Sequence, residues 1–220
     1  MAVRVGLLEC DHVDDRYTSI GGDYFDMFEG LLPDLDLVRY DAINGVLPTS
    51  PGECDGWVVT GSRHSAYEDL DWIARLGGFV LDIHQSNMPF VGICFGHQVL
   101  AHFTGGRTEK AATGWGVGAH ETTVGPKARL LYMHQDQVVA LPDDGVVLGS
   151  TDHCPNGIIQ VGEKMLGIQA HPEFSGEYVE ALLVAREERI GHDEVERALA
   201  SLEAPRDEPV AVGWMMRFLS

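Results

Sequence analysis

Basic residues are scarce in this chain. Fifteen lysines and arginines stand against 34 aspartates and glutamates, a formal charge of −19 over 220 residues. A surface of that sign repels phosphate backbones and anionic lipid, so neither nucleic acid nor a membrane is expected as a partner. The acidity reads as a device for solubility. No apolar stretch approaches the roughly 20 residues that span a bilayer. The apolar run ending at Leu8 has neither the length nor the cleavage site of a secretory signal, and a cytoplasmic location is expected. Cysteine is sparse as well: Cys10, Cys54, Cys94 and Cys154 form no CxxC pair. In a reducing compartment they are expected as free thiols rather than a disulfide framework. Internal repeats, low-complexity tracts and a convincing domain boundary are all missing, so 1–220 reads as a single domain.

What is present is an alternation of short apolar runs with helix-like stretches. Val3 to Leu8 reads as a strand, Gly21 to Leu32 as a helix, Leu35 to Tyr40 and Gly56 to Thr60 as further strands. Leu70 to Ser86 carries Ile73, Leu76, Val80 and Ile83 at helical spacing. A buried strand at Pro89 to Ile93 and a helix at Gly96 to Phe103 follow. This order predicts an α/β fold, a mostly parallel central sheet with helices on both faces and its site at the carboxyl ends of the strands. From Gly105 to Leu166 many short β-like runs suggest additional antiparallel strands on one side of the sheet. Met165 to Ala170 is a last strand, followed by helices at Ser175 to Ile190 and Asp193 to Leu202. A polar break at 203–209 precedes a closing helix at Val210 to Leu219.

The strongest chemical signal is Gly92-Ile93-Cys94-Phe95-Gly96-His97-Gln98, lying between a buried strand and a helix. That is the setting of a nucleophile elbow, where glycines on both flanks let strand and helix pack closely. Cys94 then stands at a helix start, where free N–H groups and the helix dipole favour a thiolate. The N–H of Phe95 is directed to where an oxyanion develops. A thiolate nucleophile needs a base, and the base an orienting carboxylate. His171-Pro172-Glu173 supplies both, and an extended segment would put His171 and Glu173 on one face. Cys10-Asp11-His12 and Asp152-His153-Cys154 hold ligand types, but three adjacent residues rarely converge on one ion. Both read as loops, the first at the rim of the site, and no metal is expected.

The elbow, the later His171-Pro172-Glu173 and Thr60-Gly61-Ser62 together resemble the class I glutamine amidotransferase family, the triad-type glutaminases, over nearly the whole chain. The resemblance implies a flavodoxin-like fold and a γ-glutamyl amide as small-molecule substrate, with no cofactor. It implies that Gly61 or Ser62 shares an oxyanion hole with Phe95, and that Gln98 contacts the bound γ-glutamyl group. His134, Gln135 and Asp136, within Met133 to Val138, resemble the segment lining the substrate's α-amino and α-carboxyl side, in the branch related to GMP synthetase glutaminase domains. Thr113 to Gly118, with Trp115, also looks like a family segment and reads as a turn against the sheet.

Three readings of function follow. The chain has no phosphate-cradling P-loop and no room for a synthetase. It is expected either to hydrolyse γ-glutamyl peptides or amines alone, or to be the glutaminase subunit of a separate synthetase. A non-catalytic γ-glutamyl-binding regulator is a third class, against which the intact Cys94, His171 and Glu173 argue. An α/β-hydrolase is set aside because there the acid precedes the histidine along the chain.

Overall fold

Side-chain alternation along four buried strands builds two separate cores, one on each face of a sheet. Leu7, Val58, Val91 and Ile168 point into one, while Leu8, Trp57, Val59 and Phe90 point into the other. Strands buried on both faces lose the polar alternation of a half-exposed sheet, which is why β1, β3 and β4 read as unbroken apolar runs. The computed structural model describes residues 2–122 and 127–219. Positions 123–126, inside the stretch expected to be rich in short strands, lie outside the described residues.

In chain order the elements are β1 (Arg4–Leu8), α1 (Thr18–Gly21), α2 (Tyr24–Leu31), β2 (Asp36–Tyr40), β3 (Gly56–Val59), α3 (Asp71–Gln85), β4 (Phe90–Ile93) and α4 (Phe95–Phe103). They continue with β5 (Arg107–Lys110), β6 (Gly116–Thr122), β7 (Ala128–His134), β8 (Asp136–Ala140), β9 (Gly145–Gly149), β10 (Ile158–Val161) and β11 (Met165–Ile168). Four helices follow: α5 (Gly176–Ala185), α6 (Glu187–Ile190), α7 (His192–Ser201) and α8 (Glu208–Leu219). The main sheet has the order β2-β1-β3-β4-β11-β10-β9. Its first five strands are parallel, and β10 and β9 add antiparallel beyond β11. The parallel part has the strand order of the flavodoxin-like doubly wound sheet. Helices α3 and α4 cover one face; α2, α5, α7 and α8 contribute to the core on the other.

Several boundaries differ from the sequence expectation, each for a local reason. The helix expected from Gly21 splits: Gly22 sits at φ +77, and α2 starts afresh from Asp23, which forms a capping box with Asp26. The helix expected from Ser175 to Ile190 breaks at Arg186 (φ −112, ψ 10). The buried stripe of α5 ends at Leu183, and Arg186 to Arg189 offers little to bury. The strand expected to reach Ala170 stops at Ile168, because the backbone leaves β4 to bond elsewhere: Gln169 N–H donates to Gly157 O and His171 N–H to Leu131 O, both at 2.8 Å. Of the added strands, only β9 and β10 join the main sheet. The β5–β8 and β6–β7 pairs form two-stranded sheets of their own. Among the described residues no helix is long and apolar enough to cross a membrane.

Candidate active site

The carboxyl ends of β1, β3, β4 and β11 meet at one edge of the sheet, and the chemistry-bearing segments all leave from them. Cys94 links β4 directly to α4. Its backbone sits at φ 50, ψ −98, a conformation that is strained for any residue with a side chain. The flanking glycines make the turn possible. A Cβ on Gly92 would lie 2.4 Å from the backbone of Gly96, and one on Gly96 would lie 2.4 Å from Val59 O. Cys94 is 5% exposed, and its N–H donates to Ile168 O at 2.8 Å, fixing the turn to β11. Phe95 opens α4, so its N–H has no intrahelical acceptor.

His171 and Glu173 are brought together, by a route other than strand alternation. Pro172 and Glu173 form a turn, in keeping with proline's fixed φ at the second position of such turns. His171 Nδ1 and Glu173 Oε1 are 2.7 Å apart, both side chains essentially buried. The ring of Phe174 stacks on the imidazole at 3.9 Å and 6°. Burial alone disfavours an imidazolium, but negative charge on Cys94 and Glu173 outweighs it and lifts His171 from its ordinary 6.5 to about 10. Gly61 closes the arrangement from β3: a Cβ there would stand 2.8 Å from His171 Cε1 and 3.8 Å from Cys94 Cβ. Only a residue without a side chain fits between them.

A cavity of about 120 Å³ opens over Cys94. Ser62, Gln98, His134, Gln135 and Asp136 line it, so the residues expected at the substrate converge on one space. Gln98 Nε2 donates to Asp136 O at 2.9 Å and to Gln169 Oε1 at 3.1 Å. His134 Nδ1 lies 3.1 Å from Asp136 O. Burial lowers His134 to about 3, so the ring is neutral, its Nδ1–H is the donor, and Nε2 is an unpaired acceptor.

The family model for class-I glutamine amidotransferases matches residues 29–187. The chain belongs to that family. Among its relatives, gamma-glutamyl peptidase 5 of Arabidopsis thaliana is 29% identical, over 83% of this chain and 81% of the relative. A subunit of the glutamine-hydrolysing GMP synthase of Halobacterium salinarum is also 29% identical, over 70% of this chain and 85% of its own. The fold is that of a solved glutamine amidotransferase from Thermotoga maritima, with a TM-score of 0.75 at 22% identity, covering 100% of this chain and 96% of the other. This amidotransferase is therefore an enzyme of a cysteine-dependent family.

Several residues at its site escaped the sequence reading, among them Gln169, Trp115 and the cavity-lining Arg63, His64, Ser65, Arg186 and Arg189. Gln169 is fully buried and its Nε2 lies 3.4 Å from Cys94 Sγ. It stands two residues before His171 in the same motif, and that proximity was the available signal. Trp115, read as a turn residue, lines the cavity. Its Nε1–H donates to Arg189 O at 3.1 Å, and the Arg189 guanidinium lies 5.6 Å from the ring centre. Nothing in the local sequence pairs two residues so distant in the chain. The loop after β1 does rim the site, since Asp11 accepts from the Arg63 backbone and side chain. Glu9, His12 and Asp23 place ligand-type atoms within 4.8 Å of one another. There His12 bonds Asp23 and Asp41, and Arg39 bonds Glu9 and Asp23, so the ligand-type atoms are already engaged.

Proposed function

We propose that this amidotransferase hydrolyses a γ-glutamyl amide through a thioester on Cys94. The thiolate attacks the γ-carbonyl carbon. The C–N bond breaks as His171 Nε2 delivers its proton to the departing nitrogen, and a γ-glutamyl thioester remains. The now neutral His171 takes a proton from water, which attacks the thioester and releases glutamate with the Cys94 thiolate and a reprotonated imidazole. Glu173 holds Nδ1–H and stabilises the cation. Phe95 N–H and the Gly61–Ser62 backbone face the developing oxyanion. Asp136 accepts from the substrate's α-ammonium, and Gln98 braces the γ-glutamyl pocket.

The observation that carries this reading is the position of His171 between two negative groups. A histidine lifted to about 10 is protonated at neutral pH and so serves as a ready acid for the leaving nitrogen. Hydrolysis by the isolated chain is the first reading, supported by the gamma-glutamyl peptidase relative. A glutaminase partner that passes ammonia to a separate synthetase is the second, supported by the likeness to the GMP synthase subunit of Halobacterium salinarum.

The test is glutamate release from glutamine and from a panel of γ-glutamyl peptides and amines. Faster turnover of a peptide or amine than of glutamine supports stand-alone hydrolysis. Negligible turnover of all of them, with Cys94 still labelled by a glutamine-like electrophile, favours the second reading. A chain that neither turns over nor labels refutes both.

A further inference from the structure

A second cavity, of about 230 Å³, adjoins the first. Arg63, Arg186 and Arg189 line both. Tyr24 and Tyr178 line only the second, which includes none of the residues assigned above to the glutamyl group. In a chain of net charge −19 the charges on these walls are unusual. Arg63 is held by Asp11 and Arg16 by Asp14. The wall histidines are accounted for too: His12 bonds Asp23 and Asp41, His64 bonds Glu68, and His134 is neutral. Arg186 and Arg189 form no ion pair among the described residues, although acidic side chains outnumber basic ones by more than two to one. What remains uncompensated on the two walls is a pair of guanidinium groups and the carboxylate of Asp136.

We propose that Arg186 and Arg189 form a carboxylate-recognition site on the leaving-group side of Cys94, and that the preferred substrates are γ-glutamyl peptides whose departing amine carries a free carboxylate. This rests on the hydrolytic reading above. With the glutamyl end against Gln98 and His134 to Asp136, and the γ-carbonyl at Cys94, the departing group extends past the shared arginines into the second cavity. The charges match. On the leaving side a γ-glutamyl dipeptide brings its terminal carboxylate to the two guanidinium groups. Glutamine brings one carboxylate fewer, and a γ-glutamyl polyamine would set a cation against two others. The helix break at Arg186 serves this purpose, turning the chain so that Arg186 and Arg189 both reach the mouth. The face of Trp115 lies under the Arg189 guanidinium, orienting it while leaving its N–H edge free.

The test is calorimetric binding to the full chain carrying Cys94→Ala, so that affinity is read without turnover. The probes are γ-glutamylglycine and γ-glutamylglycinamide, which differ in one carboxylate. Charge-assisted hydrogen bonding predicts tighter binding of the acid by about tenfold or more. In Arg186→Gln/Arg189→Gln on the same background that ratio is expected to fall close to one. Equal affinity in the parent, no binding of either probe, or a ratio that survives both substitutions overturns the proposal. A third probe, 4-aminobutyrylglycine, lacks the glutamyl α-carboxylate. If the substitutions erase discrimination by that group instead, the arginines belong to the glutamyl end and the leaving-side assignment falls. The hydrolytic reading fails separately, if the chain with Cys94 intact releases no glutamate from either γ-glutamyl probe while the binding preference persists.

Discussion

Gln169 Nε2 stands 3.4 Å from Cys94 Sγ, and the carbonyl oxygen of the same amide accepts from Gln98 at 3.1 Å. The chain Gln98–Gln169–Cys94 fixes which end of the Gln169 amide faces sulfur: the oxygen is occupied, so the N–H₂ points at Cys94 Sγ. Gln169 is thus expected to position Cys94. Gln169→Leu keeps the volume, and Gln98 retains its bond to Asp136 O. The expected result is a loss of about tenfold in kcat, the scale of one hydrogen bond to a charged group, with KM nearly unchanged. A loss confined to KM, or a fall in thermal stability large enough to account for it, would argue for a packing role alone.

The strained backbone at Cys94 separates two inactive variants. Both Cys94→Ala and Cys94→Gly are expected to abolish hydrolysis. Alanine ordinarily stabilises relative to glycine by about 0.4–1 kcal/mol through the unfolded chain. At φ 50 the strain of about 1–3 kcal/mol reverses that order. Cys94→Gly is therefore expected to be the more stable of the two in urea titration, by roughly 1 kcal/mol.

Replacing Glu173 by Gln removes one of the two charges that raise His171. The rate is expected to fall by about 10²- to 10⁴-fold without vanishing, because the oxyanion donors remain. The alkaline limb of kcat/KM, which follows loss of the His171 proton near pH 10, is expected to move to lower pH. An unmoved limb would disconnect His171 from Glu173.

The same shift has a consequence for stability. The folded-state value of His171 lies above its unfolded value of 6.5, so its contribution is complete below that pH. It declines as pH rises through about 10. Thermal melts from pH 6 to 10 are expected to fall more steeply for the parent than for His171→Gln.

Gly61→Ala places a methyl group 2.8 Å from His171 Cε1. The imidazole has to shift, and a displacement near 1 Å costs about 10²-fold in rate. Unaltered kinetics would mean that the loop after β3 yields instead.

The sheet and the elbow were legible because their signals are local. Gly92 and Gly96 bracket Cys94 within five residues, and β1, β3 and β4 announce themselves as apolar runs. The pairing of His171 with Glu173 was also legible, although through a Pro172 turn rather than an extended strand. What the sequence hid depends on contacts between distant segments. Trp115 with Arg189 is one such contact, and His171 N–H with Leu131 O, which ends β11 early, is another. The helix break at Arg186 has no glycine or proline to mark it. It follows from where the buried stripe of α5 ends.

The position of β11 between β4 and β10 also bears on how the protein is made. A ribosome delivers β4 and the Cys94 turn well before β11 and His171 emerge. Until then the outer edge of β4 has no neighbour and the thiol has no imidazole beside it. Vectorial synthesis therefore keeps Cys94 and His171 apart until β11 and the residues after it have been translated. Closing the sheet and completing the site become a single late event.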